Sequence, residues 1–136
     1  MDSLIEILHS SACSCVVRNK GRVERYYNRG VKDLYTLYTA DSQLLSGADV
    51  ADKVVGRAAA ALMILGGVRR AYADTISQLA LELFAQNNVE ISYNQVVPYI
   101  INRAKTDLCP LERATKDLES LEEIFAAIEA FVSSLA

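Results

Sequence analysis

The chain has 136 residues, 51% of them hydrophobic, and a formal net charge of −3. This size and composition predict one globular domain, residues 1–136, with a substantial core. The mildly acidic charge and the lack of a basic block argue against a nucleic-acid partner. Because no signal peptide is evident and no apolar run approaches the roughly 20 residues of a membrane span, we expect a cytoplasmic protein without a membrane partner.

Cysteine and histidine are too few to predict a metal site. The cysteines are Cys13, Cys15 and Cys109, and the only histidine is His9. An odd number of cysteines without a secretion signal favours free thiols over disulfides. On a strand, Cys13 and Cys15 would point to one face without further local ligands, so neither a metal nor a cofactor is expected.

The first third of the chain is predicted to contain a helix, a hairpin and a second helix. Apolar residues from Leu4 to Leu8 indicate the first helix. Strands at 13–18 and 23–27 flank the turn signal Asn19-Lys20-Gly21. From Gly30 to Asp41 the spacing of apolar residues is typical of an amphipathic helix.

Residues 48–67 are predicted to form one central helix with a polar start and an apolar body. Asp49 or Asp52 would cap its N-terminus, because a short carboxylate accepts the free amides of the first turn. Gly66-Gly67 would end it, since glycine adopts the left-handed C-terminal conformation without strain.

The start of this helix is the first candidate site. Lys53 and Arg57 would lie four residues apart on one face, and Gly56 would expose the backbone between them. Cations beside free amides make an anion pocket. The alternative is that both cations pair with Asp49, Asp52 or another acid, and that Gly56 allows close packing.

The second half of the chain alternates between strands and helices. A strand is predicted at 71–73, a helix capped by Ser77, a strand at 89–93 and a last amphipathic helix at 118–132, with a further strand considered at 96–101. This order predicts a three-layer α/β/α sandwich with a mixed sheet of about five strands, parallel in its second half.

Cys109 is the second candidate site. It precedes Pro110, which suits the first turn of a helix, and a helix N-terminus favours the thiolate form of cysteine. Glu112 follows closely, and Arg103 lies just upstream. The pattern is compatible with a nucleophile assisted by Glu112 and Arg103, or with a buried cysteine beside a helix start.

Three separated motifs resemble one protein family. They are Ala-Asp-Lys-Val-Val-Gly-Arg-Ala-Ala-Ala (51–60), Val-Val-Pro-Tyr-Ile-Ile-Asn-Arg (96–103) and Cys-Pro-Leu-Glu (109–112). Over about residues 12–118 the chain is similar to a small uncharacterised prokaryotic family with a cytidine-deaminase-like fold and no assigned activity. The resemblance implies a mixed sheet flanked by helices.

The resemblance does not extend to deaminase chemistry. Zinc deaminases carry His-x-Glu or Cys-x-Glu at the start of the central helix, and Pro-Cys-x-x-Cys at the start of the next helix. The corresponding places, near 56–58 and 76–80, offer no histidine, cysteine or glutamate. Alanine cannot donate a lone pair to zinc, so we expect no zinc-dependent deamination.

Three functions follow as hypotheses, and the sequence leaves open whether the protein is an enzyme. The first is a zinc-free pocket for a small anionic or nucleotide-like ligand, lined by Asp52, Lys53, Gly56, Arg57, Ser77, Asn102 and Arg103. The second is a cysteine-dependent enzyme that uses Cys109 and Glu112. The third is a non-catalytic interaction module, a homo-oligomer formed through the acidic last helix and exposed tyrosines.

Overall fold

The computed structural model describes residues 1–28, 31–102 and 105–134. The helices in these ranges are α1 (Asp2–Ser10), α2 (Lys32–Ala40), α3 (Ser42–Leu45), α4 (Arg57–Gly66), α5 (Gln78–Gln86), α6 (Pro110–Thr115) and α7 (Leu121–Ser134). The strands are β1 (Cys15–Asn19), β2 (Arg22–Tyr26), β3 (Asp49–Val55), β4 (Arg70–Ser77) and β5 (Glu90–Val97).

The strands form one mixed sheet in the order β2-β1-β3-β4-β5. Strand β1 runs antiparallel to both β2 and β3, whereas β3, β4 and β5 are parallel. The β1–β2 hairpin turns at Gly21, whose φ of +82° favours glycine. The prediction of a mixed sheet of about five strands, parallel in its second half, is therefore confirmed.

Helices pack on both faces of this sheet. On one face, Leu4 and Leu8 of α1 lie against Val16, Ala51 and Tyr72. The other face carries the larger core, in which α4 contacts α2, α5, α6 and α7. Helices α4 and α5 connect β3 to β4 and β4 to β5, which follow one another across the sheet in the same direction. Right-handed crossovers between such parallel strands place both helices on the same face.

The prediction of one central helix over residues 48–67 is wrong in its first half. Residues Asp49–Val55 form β3, the middle strand of the sheet, and α4 begins only at Arg57 after the N-cap Gly56. Asp49 and Asp52 therefore do not cap a helix. The predicted stop is confirmed, because Gly67 is the C-cap with a φ of +83°.

Asp49 lies in a strand because arginines on the neighbouring strands face it. Arg18 on β1 and Arg70 on β4 are its cross-strand partners, and both donate hydrogen bonds to its carboxylate, as does Arg69. Burial opposes ionisation of Asp49, but the bonds from Arg70, Arg18 and Arg69 outweigh it and hold its pKa well below the usual range.

Smaller differences from the predicted elements concern the cysteines and the end of β5. Cys13 precedes β1 and packs in the α1-side core, whereas Cys15 packs in the larger core, so the two thiols do not share a face. Residues 96–101 are not a separate strand. Instead β5 runs to Val97, and Ile101 only bridges to Leu108. Gly30, the predicted start of the second helix, lies outside the described residues.

Candidate functional site

A cavity of about 660 Å³ opens where β3 ends and α4 begins. Its wall comes from residues 12–14, 52–54, 56–59, 100–102 and 109–112, together with Tyr27 and Val31. Cavities of this size hold small molecules in many proteins, where the typical range is roughly 300–1,000 Å³. The junction of β3 and α4 thus faces segments distant in sequence.

Most of the predicted site residues line this one cavity. They are Asp52, Lys53, Gly56, Arg57, Asn102, Cys109 and Glu112. Ser77 does not line it, because it is fully buried at the N-cap of α5, where its hydroxyl accepts a hydrogen bond from the amide of Ala80. Arg103 lies outside the described residues.

The Glu112 side chain caps the N-terminus of α4. Its Oε1 accepts a hydrogen bond from the Arg57 amide at 2.9 Å, and its Oε2 accepts one from the Ile100 amide at 2.7 Å. The side chain is 2% exposed. A Cβ at Gly56 would lie 3.1 Å from Oε1, so glycine there permits the close packing considered above. Both oxygens are engaged, which gives Glu112 a capping role rather than the predicted assistance to Cys109.

The Arg57 guanidinium is turned into the protein. Its Nη1 donates to the Leu79 carbonyl at 3.2 Å and its Nη2 to the Leu118 carbonyl at 2.7 Å. The residue is 7% exposed. Arg57 therefore joins α4 to the first turn of α5 and to the segment after α6. The guanidinium therefore does not lie beside Lys53 in an anion pocket, as predicted. It also forms no ion pair with Asp49 or Asp52, which was the alternative.

Asp52 is the buried acid of the cavity. It is 7% exposed and lies on β3 opposite Cys15. Within the described ranges its carboxyl accepts one long hydrogen bond, 3.4 Å from the Val54 amide, and it pairs with no cationic side chain. Burial raises the pKa of Asp52 to about 7. This group can therefore hold or release a proton near neutral pH.

Two residues of the wall carry backbone amides without an acceptor among the described residues. Ala58 and Ala59 belong to the first turn of α4, where amides have no intrahelical acceptor. In the part of the chain that the structure describes, neither amide finds another acceptor. Beside the Glu112 cap, the cavity thus combines the buried Asp52 carboxyl group and these two amides with largely apolar surroundings.

Three exposed apolar side chains also line the cavity, and the sequence does not reveal them. Tyr27, Val54 and Ile101 are 62%, 49% and 58% exposed. The sequence predicts a helix around Val54 and strands around Tyr27 and Ile101. Val54 and Ile101 lie within the motifs at 51–60 and 96–103, but only the tertiary fold brings them together with Tyr27.

The comparisons with known proteins identify the family. A family model described as TM1506, domain of unknown function (DUF1893), matches residues 3–132. The chain belongs to the DUF1893 family. It is also similar to a crystal structure of a DUF1893 family protein (TM1506) from Thermotoga maritima. The TM-score is 0.87 with 25% sequence identity, over 95% of this chain and 87% of that chain. No curated protein matches the chain.

Membership of the DUF1893 family confirms the predicted similarity to an uncharacterised family. It assigns no activity to this DUF1893 domain. The described residues contain no group of three or more histidine, cysteine, aspartate or glutamate side chains arranged to hold a metal ion. In the same ranges, no helix has the length and apolar character needed to cross a membrane.

Proposed function

We propose that the cavity binds a small, uncharged heterocyclic molecule with a nucleobase-like ring, and that Asp52 is its main polar contact. The observation that carries this proposal is a buried carboxyl without a cationic partner in an otherwise largely apolar cavity. Burying such a group costs free energy unless a hydrogen-bonding partner meets it. A ring edge that bears an N–H group supplies that partner.

The surroundings of Asp52 support a ring rather than a chain-like ligand. The amides of Ala58 and Ala59 donate to a ring carbonyl or ring nitrogen, while the Asp52 carboxyl accepts from, or shares a proton with, a ring N–H. Adjacent donors and acceptors are the property of a nucleobase edge. Tyr27 provides an aromatic face on which such a ring can stack.

A phosphate is less well matched to this cavity than the sequence predicted. Glu112 already occupies the capping position at the start of α4, and the Arg57 guanidinium is held by two carbonyl groups. Lys53 is the only cationic side chain left among the described lining residues. The base, rather than a phosphate group, would therefore dominate recognition.

The cytidine-deaminase-like assignment is likewise a proposal. A mixed sheet with helices on both faces supports it. So does the position of the cavity at the start of α4, where the resemblance implies a pocket.

The proposal is tested by thermal denaturation with free nucleobases, nucleosides and inorganic phosphate. We expect a nucleobase or nucleoside to raise the melting temperature of the wild type but not of Asp52→Asn, because the amide keeps the size of the carboxyl group but cannot accept at both atoms. Asp117→Asn is the control, since Asp117 has an 83% exposed side chain and does not line the cavity.

Several outcomes would contradict the proposal. These are an equal response of Asp52→Asn, a response to phosphate alone, and no response to any ring compound. Cys109 gives a second readout, because a ligand in the cavity should slow its reaction with a thiol reagent. Cys13 and Cys15 are buried and should react slowly with or without ligand.

A further inference from the structure

The two edge strands of the sheet differ in length and charge. Strand β2 has five residues and carries Arg22, Glu24 and Arg25. Strand β5 has eight residues, and its single charged side chain is that of Glu90, its first residue. Short edge strands with charged side chains resist pairing with other chains, whereas long uncharged ones favour it. By these criteria β2 is protected and β5 is not.

Strand β5 is also exposed on both of its faces. Six of its eight residues are exposed, among them Tyr93 at 44% and Val96 at 38%. One side of its backbone pairs with β4, and no strand within the described ranges pairs with the other side. A groove of about 440 Å³, lined in part by Val96 and Tyr99, lies at the end of this strand.

We infer that β5 pairs antiparallel with β5 of a second copy of this chain, so that two sheets join into one of ten strands. A two-fold axis perpendicular to the sheet keeps each face continuous, and it makes the interface self-complementary. In a register centred on Asn94, Tyr93 lies opposite Gln95 of the second copy, and Ser92 lies opposite its Val96. Cross-strand pairs of this kind stabilise a sheet.

The charge distribution favours a second copy as the occupant. In the register centred on Asn94, the two Glu90 carboxylates lie at opposite ends of the paired strands, roughly 27 Å apart at about 3.4 Å per residue. Screening by salt makes their repulsion negligible at that distance. A copy of β2 on this edge would instead place three charged side chains beside Tyr93 and Val96.

The test is light scattering coupled to gel filtration over a wide range of protein concentration. We expect the wild type to have about twice the chain mass of 14.9 kDa. Asn94→Lys should have the mass of one chain, because two ammonium groups would face each other at the centre of the interface. Asn94 is exposed, so the far-UV circular dichroism and melting temperature of the diluted variant should match those of the wild-type monomer.

Arg25→Glu on the exposed edge β2 is the control and should remain dimeric. A monomeric wild type at every concentration would overturn the inference, as would an Asn94→Lys variant that stays dimeric. Hydrogen exchange provides the second measurement. Amides of β5 that point away from β4 should exchange slowly in the wild type and quickly in Asn94→Lys. Fast exchange of these amides in both proteins would also overturn it.

Discussion

Glu112 and Arg57 are 55 positions apart in the sequence, yet together they determine how α4 begins. Gly56, the N-cap, has no side chain that could accept hydrogen bonds from the first amides of the helix. The Glu112 carboxylate from α6 accepts a hydrogen bond from the first of these amides, that of Arg57, and its second oxygen accepts one from the Ile100 amide. A cap that is usually supplied locally is therefore supplied here by a tertiary contact.

We predict that Glu112→Gln destabilises the protein. The amide group has one acceptor oxygen where the carboxylate has two, so either the Arg57 or the Ile100 amide loses its bond and meets an N–H group instead. Hydrogen bonds to a charged acceptor contribute about 1.5–3 kcal/mol each, so we expect a loss of this size in the free energy of unfolding. Urea denaturation measures it.

Glu119→Gln is the matched control for this substitution. Glu119 is exposed, and surface changes of this kind usually stay within about 0.5 kcal/mol. If Glu112→Gln were as stable as Glu119→Gln, Glu112 would not be the cap of α4.

At the level of elements, the sequence predicts most of the helices and strands but not the strand at the centre of the sheet. Strand β3 contains Asp49 and Asp52, residue types that are depleted in strands. Asp49 is accommodated because three arginines surround it, and Asp52 because it lines a cavity. Neither environment can be inferred from neighbouring residues, and the alanines after Gly56 favour extending the helix backwards.

The contact between α4 and α3 yields a prediction at this scale. A Cβ on Gly66, the last residue of α4, would lie 2.7 Å from Cδ1 and 2.9 Å from Cβ of Leu45. Alanine is the better helix former by up to about 1 kcal/mol, but overpacking of a core typically costs about 1–3 kcal/mol. We therefore expect Gly66→Ala to lower the melting temperature despite its helix propensity.

A double-mutant cycle with Leu45→Ala separates the clash from other effects. Leu45→Ala removes the 2.7 Å contact with Cδ1 but keeps the 2.9 Å contact with Cβ, so it relieves part of the clash. The two substitutions together should therefore destabilise the protein by less than the sum of the single changes. Strict additivity of the two free energies would show that the Leu45 atoms beyond Cβ do not oppose a side chain at Gly66.

At the level of the whole molecule, the candidate site was predicted as a set of residues but not as a chemical environment. The motifs containing Asp52, Asn102 and Cys109 meet in one cavity, which the sequence left open. The direction of the Arg57 guanidinium and the occupation of the α4 N-terminus by Glu112 were missed. Both depend on contacts with segments more than 20 residues away, namely Leu79, Leu118 and Glu112.

The two buried aspartates give the free energy of unfolding a characteristic pH dependence. Asp49 has a lowered pKa in the folded state, so its stabilising contribution is present above the unfolded value of about 3.9 and is lost as the pH falls below it. Asp52 has the opposite effect. Because burial raises its pKa to about 7, the folded state binds more protons than the unfolded state between about pH 4 and 7.

We therefore predict that stability falls as the pH rises from about 4 to 7, by up to about 4 kcal/mol, since each pKa unit corresponds to about 1.4 kcal/mol. Urea denaturation across this range measures the decline. Asp52→Asn should abolish most of it, because asparagine resembles the protonated acid and does not titrate, and the variant should be more stable than the wild type at pH 7.

Asp117→Asn should keep the wild-type profile, since Asp117 is exposed. An unchanged decline in Asp52→Asn would mean that another group titrates in this window and that Asp52 is ionised in the folded protein.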